Sequence, residues 1–284
     1  MNSYKSTLSQ YALQPSLPIW EGKGGVIWGD LEVCSLKTMM FEKHPSISPY
    51  TYCANNPMKF VDPTGEVLTD FLNSETGECM HIEDGNDQIV ILNNNEYSTI
   101  AGMGKNNFDN MSSDQQKQYN KILDGKYQVN MDSKLGKTIR AVYSEMGNLG
   151  SSQEDRNVVA ASIATRLGMD ESKDIDNVLI PSQYNSVTTD TYKNGPYWRE
   201  NQDAKNAPAF YKSRKQQYDE MRIGSISAAY KALNGLLPSA YDNVYSFVSP
   251  PRTSNYFNGN SRLINITNKF GGLKGISGVW KIKQ

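Results

Sequence analysis

The sequence predicts an α+β protein in which helices dominate the C-terminal half. One set of apolar residues recurs at the spacing of a single helical stripe: Leu135, Ile139, Val142, Tyr143 and Met146. A second helix is indicated by Ser152 and Asp155, which stand three residues apart in a capping arrangement. Near the C-terminus, the short apolar segments VYSFVSP, LINITN and GVWKIK are typical of strands.

Taken in chain order, residues 1–66 are irregular, and the pattern becomes β-like only after them. Met80-His81-Ile82 and Ile89 to Leu92 flank Asp84-Gly85, a strong turn signal that predicts a β-hairpin. The acidic cluster at this turn lacks the spaced ligands of a calcium loop. Residues 102–131 are polar and contain a short predicted helix at 112–123. We therefore expect 67–132 to form a β-hairpin and a polar linker.

Residues 133–284 are expected to form a separate domain that begins with the two helices described above. Ser133 or Asp132 can cap the first helix. The second helix carries an inward face of Val159, Ile163 and Leu167. A third helical region is predicted at 207–234, with a break near Gly224 because glycine weakens helix interiors.

Composition limits the kind of protein this can be. The chain of 284 residues has a mean hydropathy of −0.60 and no apolar run long enough to cross a membrane. Its first residues, MNSYKSTLSQ, lack the apolar core of a classical signal peptide. The three cysteines, Cys34, Cys53 and Cys79, are widely spaced and are interpreted as incidental thiols.

Charge is divided unevenly along the chain. Residues 133–284 hold 20 Lys and Arg against 13 Asp and Glu, whereas residues 1–132 hold 9 against 17. A basic C-terminal part suggests an anionic polymer as partner, either cell wall or nucleic acid. An ordinary solvent-exposed surface that binds no polymer explains the same excess of basic residues.

Histidine and cysteine are missing where they would be needed for several kinds of catalysis. The only histidines, His44 and His81, precede residue 133, and no cysteine follows Cys79. Residues 133–284 therefore cannot form a Ser-His-Asp or Cys-His triad or a HExxH metal site. The groups that remain available for catalysis there are carboxylates, hydroxyls, basic side chains or a carboxylate-bound metal. Among the carboxylates Glu145 is distinctive, because it ends a helix beside the apolar stripe and suits a general acid.

The segment SPYTYCANNPMKFVDPTGE, at 48–66, combines several turn signals in a particular order. It resembles the closing motif of the RHS-repeat-associated core, and the resemblance covers residues 41–66. In proteins of that family the sequence after the closing motif is the variable effector of a polymorphic toxin. The resemblance implies that 1–66 is a remnant of an RHS shell. It also implies a cognate immunity protein as partner and delivery outside the producing cell.

A second resemblance covers residues 138–186. The segment TIRAVYSEMGNLGSSQEDRNVVAASIATRLG, followed by VLIPSQYNS, is similar to the SleB-like cell-wall hydrolases of the spore-cortex lytic enzyme family. Asn148 and Thr165 depart from the family pattern of Glu and Asn. For 133–284 the resemblance implies a lysozyme-like scaffold that cleaves peptidoglycan between N-acetylmuramic acid and N-acetylglucosamine. Glu145 would be the single catalytic carboxylate of a lytic transglycosylase or muramidase, with no cofactor and no metal.

Substrate contacts are expected from two segments. Gln183, Tyr184 and Ser186 would bind sugar hydroxyls or acetamido groups, and Tyr197 and Trp198 would form a stacking platform in one loop. If a second carboxylate is required, the candidates are Glu154, Asp155 and Asp190.

Two other functions remain open from the sequence. A carboxylate-metal nuclease would suit the basic charge, although no Asp…Glu-x-Lys spacing is evident. A non-catalytic module that binds glycan or a protein partner is the other alternative. On the cell-wall interpretation the partner is the peptidoglycan strand, not nucleic acid, and the place of action is the cell wall or periplasm of a target cell.

Overall fold

The computed structural model describes residues 68–146, 149–250, 252, 257 and 259–283. The expected RHS remnant, residues 1–66, lies outside them. The predicted α+β class is confirmed. The helices are α1 (Asn94–Gly102), α2 (Ser113–Leu123), α3 (Lys134–Met146), α4 (Gln153–Met169), α5 (Ile175–Val178), α6 (Asp190–Asn194), α7 (Pro196–Asn206) and α8 (Pro208–Leu233). The strands are β1 (Leu68–Asn73), β2 (Cys79–Glu83), β3 (Gln88–Leu92), β4 (Val244–Val248), β5 (Leu263–Asn265) and β6 (Gly278–Ile282).

The first sheet has the order β2-β1-β3, so the predicted hairpin between β2 and β3 is wrong. β1 lies between them, antiparallel to β2 and parallel to β3. The tight turn falls between β1 and β2 instead, where Gly77 adopts a φ of 67°. The Asp84-Gly85 turn carries the chain past the end of β1, and Thr69 Oγ1 donates to Asp84 Oδ2 at 2.8 Å.

Residues 68–132 build their own core, so the expected linker is also wrong. The apolar residues buried together over this sheet are Phe71, Ile82, Val90, Leu92, Ile100, Met103, Met111 and Tyr119. The helix predicted at 112–123 is confirmed as α2, which begins with a capping box of Ser112 and Gln115. The hydroxyl of Tyr119 donates to Asp84 Oδ2 at 2.6 Å, which joins this helix to the turn after β2.

The two helices that follow are confirmed as α3 and α4. Ser133 begins the first, because its Oγ accepts from the N–H of Gly136 at 3.1 Å. Ser152 and Asp155 form the predicted capping box of α4. The inward face predicted for α4 is buried in the main core.

α8 is continuous through Gly224, so the predicted break is wrong. The glycine serves packing, since a Cβ at this position would lie 2.6 Å from Arg156 Nε and would also overlap Gln153 Oε1. The carbonyl of Gly224 accepts from Gln153 Nε2 at 3.0 Å. The absent side chain therefore lets the first turn of α4 approach the backbone of α8.

A buried ionic cluster joins the first sheet to α7 and α8. Arg222 is 0% exposed and donates to Asp70 of β1 (2.9 Å), to Asp219 (2.8 Å) and to Glu200 of α7. Tyr197 adds a hydrogen bond to Asp70 at 2.6 Å. A buried guanidinium needs such partners, and here β1 supplies one of them.

The predicted tail strands are confirmed as an antiparallel sheet of order β4-β6-β5. Asp155 fixes the loop before β6 to α4, because its carboxylate accepts from the N–H groups of Lys274, Gly275 and Ile276 at 2.9–3.2 Å. Among the described residues no helix combines the length and apolar character needed to span a bilayer.

Candidate active site

Glu145 lies in the last turn of α3, where the helix leaves the core. Its neighbours Val142 and Met146 are buried, whereas Glu145 is half-buried. The helical spacing that directs the apolar residues inward thus leaves the carboxylate at the edge of the core. A carboxylate in that position keeps access to a ligand while losing part of its contact with water.

A hydrogen bond joins Glu145 to the QYNS segment, residues 183–186. The Oε1 atom of Glu145 accepts from the backbone N–H of Ser186 at 3.0 Å. Ser186 lies in a 3₁₀ turn, Asn185–Thr188, which begins within the QYNS segment. Oε2 makes no hydrogen bond to any residue that the structure describes. One oxygen is therefore fixed, and the other is available to hold or accept a proton.

Two hydroxyl groups beside this carboxylate are buried and lack partners in the described part of the chain. They are the Oγ atoms of Ser144, the residue before Glu145, and of Ser186. Burying a hydroxyl without a hydrogen bond costs free energy, so such groups often mark binding or catalytic positions. Sequence reasoning missed Ser144, because a serine inside a helical stripe gives no signal of its own.

The predicted sugar-binding residues of the QYNS segment have different environments. Gln183 is exposed, and its side-chain amide makes no hydrogen bond to the described residues. Tyr184 is 2% exposed, its hydroxyl pairs with Ser162 Oγ at 3.1 Å, and burial raises its pKa to about 12. Its ring packs against Phe247 with centroids 6.3 Å apart. Tyr184 is therefore a core residue, and its predicted role as a sugar ligand is corrected.

Tyr197 and Trp198 lie in the first turn of α7 and not in a loop. The hydroxyl of Tyr197 donates to Asp70 Oδ2 at 2.6 Å, and burial raises its pKa. The Arg222 guanidinium lies 5.6 Å from the centre of its ring. Tyr197 thus belongs to the buried ionic cluster, which corrects its assignment to a stacking platform. Trp198 is half-buried and keeps partial access to solvent.

Of the three candidates for a second carboxylate, Asp155 is occupied internally. It is 0% exposed, and both its oxygens accept backbone N–H groups. Glu154 accepts from the N–H of Gly272. Asp190 is exposed in the first turn of α6, with Lys193 at 3.9 Å. None of the three forms a hydrogen bond with Glu145.

Arg166 contacts Tyr245 near Tyr184, and sequence reasoning did not identify this contact. The Arg166 guanidinium lies 4.0 Å from the centre of the Tyr245 ring, and its Nε donates to the Tyr245 carbonyl at 2.9 Å. Such a cation–π contact holds α4 against β4. The sequence predicted a strand at VYSFV, but nothing in it indicated that Tyr245 would contact Arg166.

The described residues contain no group of three or more His, Cys, Asp or Glu side chains placed to hold a metal ion.

Comparison of the chain with protein-family models, with curated proteins and with solved structures finds no match. What the site can do is therefore judged from its chemistry, which is that of one half-buried carboxylate with a fixed and a free oxygen.

Proposed function

We propose that this chain is an antibacterial effector of polymorphic-toxin type that cleaves the glycan strand of peptidoglycan. The bond cleaved joins N-acetylmuramic acid to N-acetylglucosamine, Glu145 is the catalytic carboxylate, and residues 133–284 supply a lysozyme-like scaffold. The place of action is the cell wall or periplasm of a target cell. A cognate immunity protein protects the producer.

The observation that carries the proposal is the hydrogen bond between Glu145 and the N–H of Ser186. The SleB-like resemblance rests on two segments, one at 138–168 that contains Glu145 and another at 178–186 that contains Ser186. Their side-by-side position supports a shared site, because residues that act together must lie within reach of one substrate.

The chemistry favours a single-carboxylate reaction. Ordinary glycosidases use two carboxylates. In lytic transglycosylation the protonated Glu145 gives its proton to the glycosidic oxygen as the C1–O bond breaks. The 6-hydroxyl oxygen of the same muramic acid residue then bonds to C1, and Glu145 takes the proton that this hydroxyl releases. The products are a 1,6-anhydro sugar and a free hydroxyl on the leaving sugar, and Glu145 ends protonated, as it began.

The test is mass spectrometry of purified peptidoglycan treated with the full chain. We expect anhydro-muropeptides from the unaltered protein, and Glu145→Gln should lower their rate of release by about 10²–10⁴-fold, the usual value of acid–base help. Glu171→Gln is the matched control, because Glu171 is exposed and lies outside the site. Thermal unfolding of all three proteins establishes that the variants are folded.

Each other result changes the assignment in a defined way. Reducing-end products in place of anhydro sugars would indicate a muramidase and require a second carboxylate. Release of soluble fragments by Glu145→Gln at the unaltered rate would remove Glu145 from the mechanism. Binding of peptidoglycan without cleavage by either protein would leave a glycan-binding module, and degradation of nucleic acid with Mg²⁺ would favour the nuclease.

A further inference from the structure

A cleft of about 670 Å³ lies beside the first turn of α4, among β2, α8 and the loop that carries Lys274. None of the residues proposed for glycan cleavage lines it. Its charged lining residues are Arg156, Lys231 and Lys274, together with Glu78 and Glu220. The cleft is therefore a polar cavity that is separate from Glu145.

Arg156 is the most unusual of these residues. It is 6% exposed, yet it forms no ion pair with any carboxylate that the structure describes. Its Nε donates to Gln153 Oε1 and its Nη1 to the Ser151 carbonyl, both at 3.3 Å, whereas Nη2 makes no hydrogen bond to the described residues. Burial lowers the pKa of Arg156. Buried guanidinium groups are normally paired with an anion, and here that partner is missing from the described residues.

The surroundings of Arg156 favour a negative charge in the cleft. Arg156 lies in the first turns of α4, a helix of 17 residues whose N-terminal end carries positive partial charge. Lys231 and Lys274 also line the cleft without an ion pair among the described residues. The adjacent carboxylate, Asp155, and the lining residue Glu220 both attract the Arg156 charge, but neither forms an ion pair with it, and the oxygens of Asp155 accept the backbone N–H groups of the loop before β6.

Two carboxylates limit how much negative charge the cleft accepts. Glu220 and Glu78 both line it, and Glu220 accepts a hydrogen bond from Gln216 at 2.9 Å. Glu220 is exposed, so water screens its charge more than it screens the buried Arg156. The cleft thus suits a small ligand of one or two negative charges placed at its Arg156 end.

We propose that this cleft binds a phosphate or carboxylate group through Arg156, with Lys231 and Lys274 adding positive charge. A planar guanidinium donates to such groups through two parallel N–H bonds, which explains why arginine, not lysine, occupies the buried position. The proposal does not depend on the cleavage of peptidoglycan.

The first test titrates the full chain with inorganic phosphate and, separately, with acetate, by isothermal calorimetry at fixed ionic strength. Phosphate binding alone would assign the cleft to phosphate groups, and acetate binding alone to carboxylates. Arg156→Gln should weaken the binding by about tenfold or more, the value of one charge-assisted hydrogen bond. Arg214→Gln, at an exposed position, is the control and should bind as the unaltered protein does. No binding of either anion, or equal binding by Arg156→Gln, would overturn the proposal.

A second variant keeps the test decisive if Arg156→Gln fails to fold. Glu220→Gln removes a competing negative charge from the cleft and leaves Arg156 in place. It should tighten anion binding by about two- to fivefold, in keeping with the value of an exposed charge pair. Glu171→Gln should have no effect. Unchanged or weaker binding by Glu220→Gln would refute the electrostatic role given to the cleft.

Discussion

Glu200 of α7 should make the stability of the protein fall as pH rises toward neutrality. The residue is 5% exposed and lies against Arg222, whose Nη1 donates to Glu200 Oε2. The same guanidinium also binds Asp70 and Asp219. Tyr143 donates to Glu200 Oε1 at 3.5 Å. Three carboxylates therefore share one buried positive charge, and one of them is expected to keep its proton.

The direction and size of the effect follow from linkage. Burial raises the pKa of Glu200 from 4.5 to about 7, against the opposing effect of Arg222. Between these two pH values Glu200 holds a proton in the folded protein that it has released in the unfolded chain. The stability that Glu200 contributes is therefore greatest below pH 4.5 and is lost as pH rises to about 7. The full loss is on the order of 3 kcal/mol, since each tenfold change in a protonation equilibrium is worth about 1.4 kcal/mol.

The assay compares urea unfolding of the full chain with that of Glu200→Gln at about pH 4.5 and about pH 8. Glutamine has no proton to lose, so the variant should gain about 3 kcal/mol relative to the unaltered protein between the two pH values. Titrating groups that do not interact with Glu200 cancel in this difference, and Glu171→Gln should show no such gain. A difference that does not change with pH would refute the reasoning. A difference of opposite sign would mean that the ion pair with Arg222 outweighs burial.

Three further substitutions test other parts of the structure. Asp155→Ala should lower the free energy of unfolding by about 2–4 kcal/mol, because it leaves the buried N–H of Ile276 and the part-buried N–H of Gly275 without an acceptor. Asp242→Ala, at an exposed position, should change it little, and urea unfolding measures both. Gly224→Ala should destabilise the protein by about 1–3 kcal/mol, because the added Cβ overlaps with α4. The same change at Gly168, where a Cβ meets open space, should be neutral or stabilising. Thermal unfolding measures both, and equal effects of the two substitutions would contradict the packing argument. Ser186→Ala removes a buried hydroxyl without a partner among the described residues, so it should not lower stability, and a lower rate of peptidoglycan cleavage would then report a lost substrate contact.

Helices and strands that depend on residues close together in the chain could be predicted from the sequence. The capping arrangement of Ser152 and Asp155 and the helical stripe before it correctly predicted α4 and α3. Both depend on contacts within one helix, which sequence spacing fixes directly. The short apolar segments of the tail likewise predicted β4, β5 and β6, because strand-forming residues cluster locally in the sequence.

Contacts between residues far apart in the sequence could not be predicted in this way. β1 (Leu68–Asn73) is buried along its whole length, so it shows neither alternation nor a turn signal that would place it between β2 and β3. Gly224 was interpreted by its helix propensity, which is weak, whereas its position is determined by contact with α4. Asp155 was recognised as a cap, but nothing local to it indicated the three N–H groups of the loop before β6.

The candidate site shows the same division. Sequence reasoning named Glu145 and Ser186 as site residues, and the structure places them in hydrogen-bond contact. The same reasoning named Tyr184 and Tyr197, whose hydroxyls bond to Ser162 and Asp70 inside the protein. A tyrosine has an apolar ring and one polar atom, so it serves equally well in a core and on a sugar, and spacing does not distinguish the two uses.

The buried ionic cluster links residues 68–132 to the stability of the part of the chain that carries Glu145. Asp70 is 0% exposed and accepts from both Arg222 and Tyr197, which lie on α8 and α7. A chain that began at residue 133 would leave the Arg222 guanidinium with one partner fewer, and breaking a buried pair in this way typically costs about 3–5 kcal/mol. That loss is a large share of the stability of an ordinary domain. We therefore expect the first sheet, α7 and α8 to unfold together, so that the stability of the site built around Glu145 depends on all three.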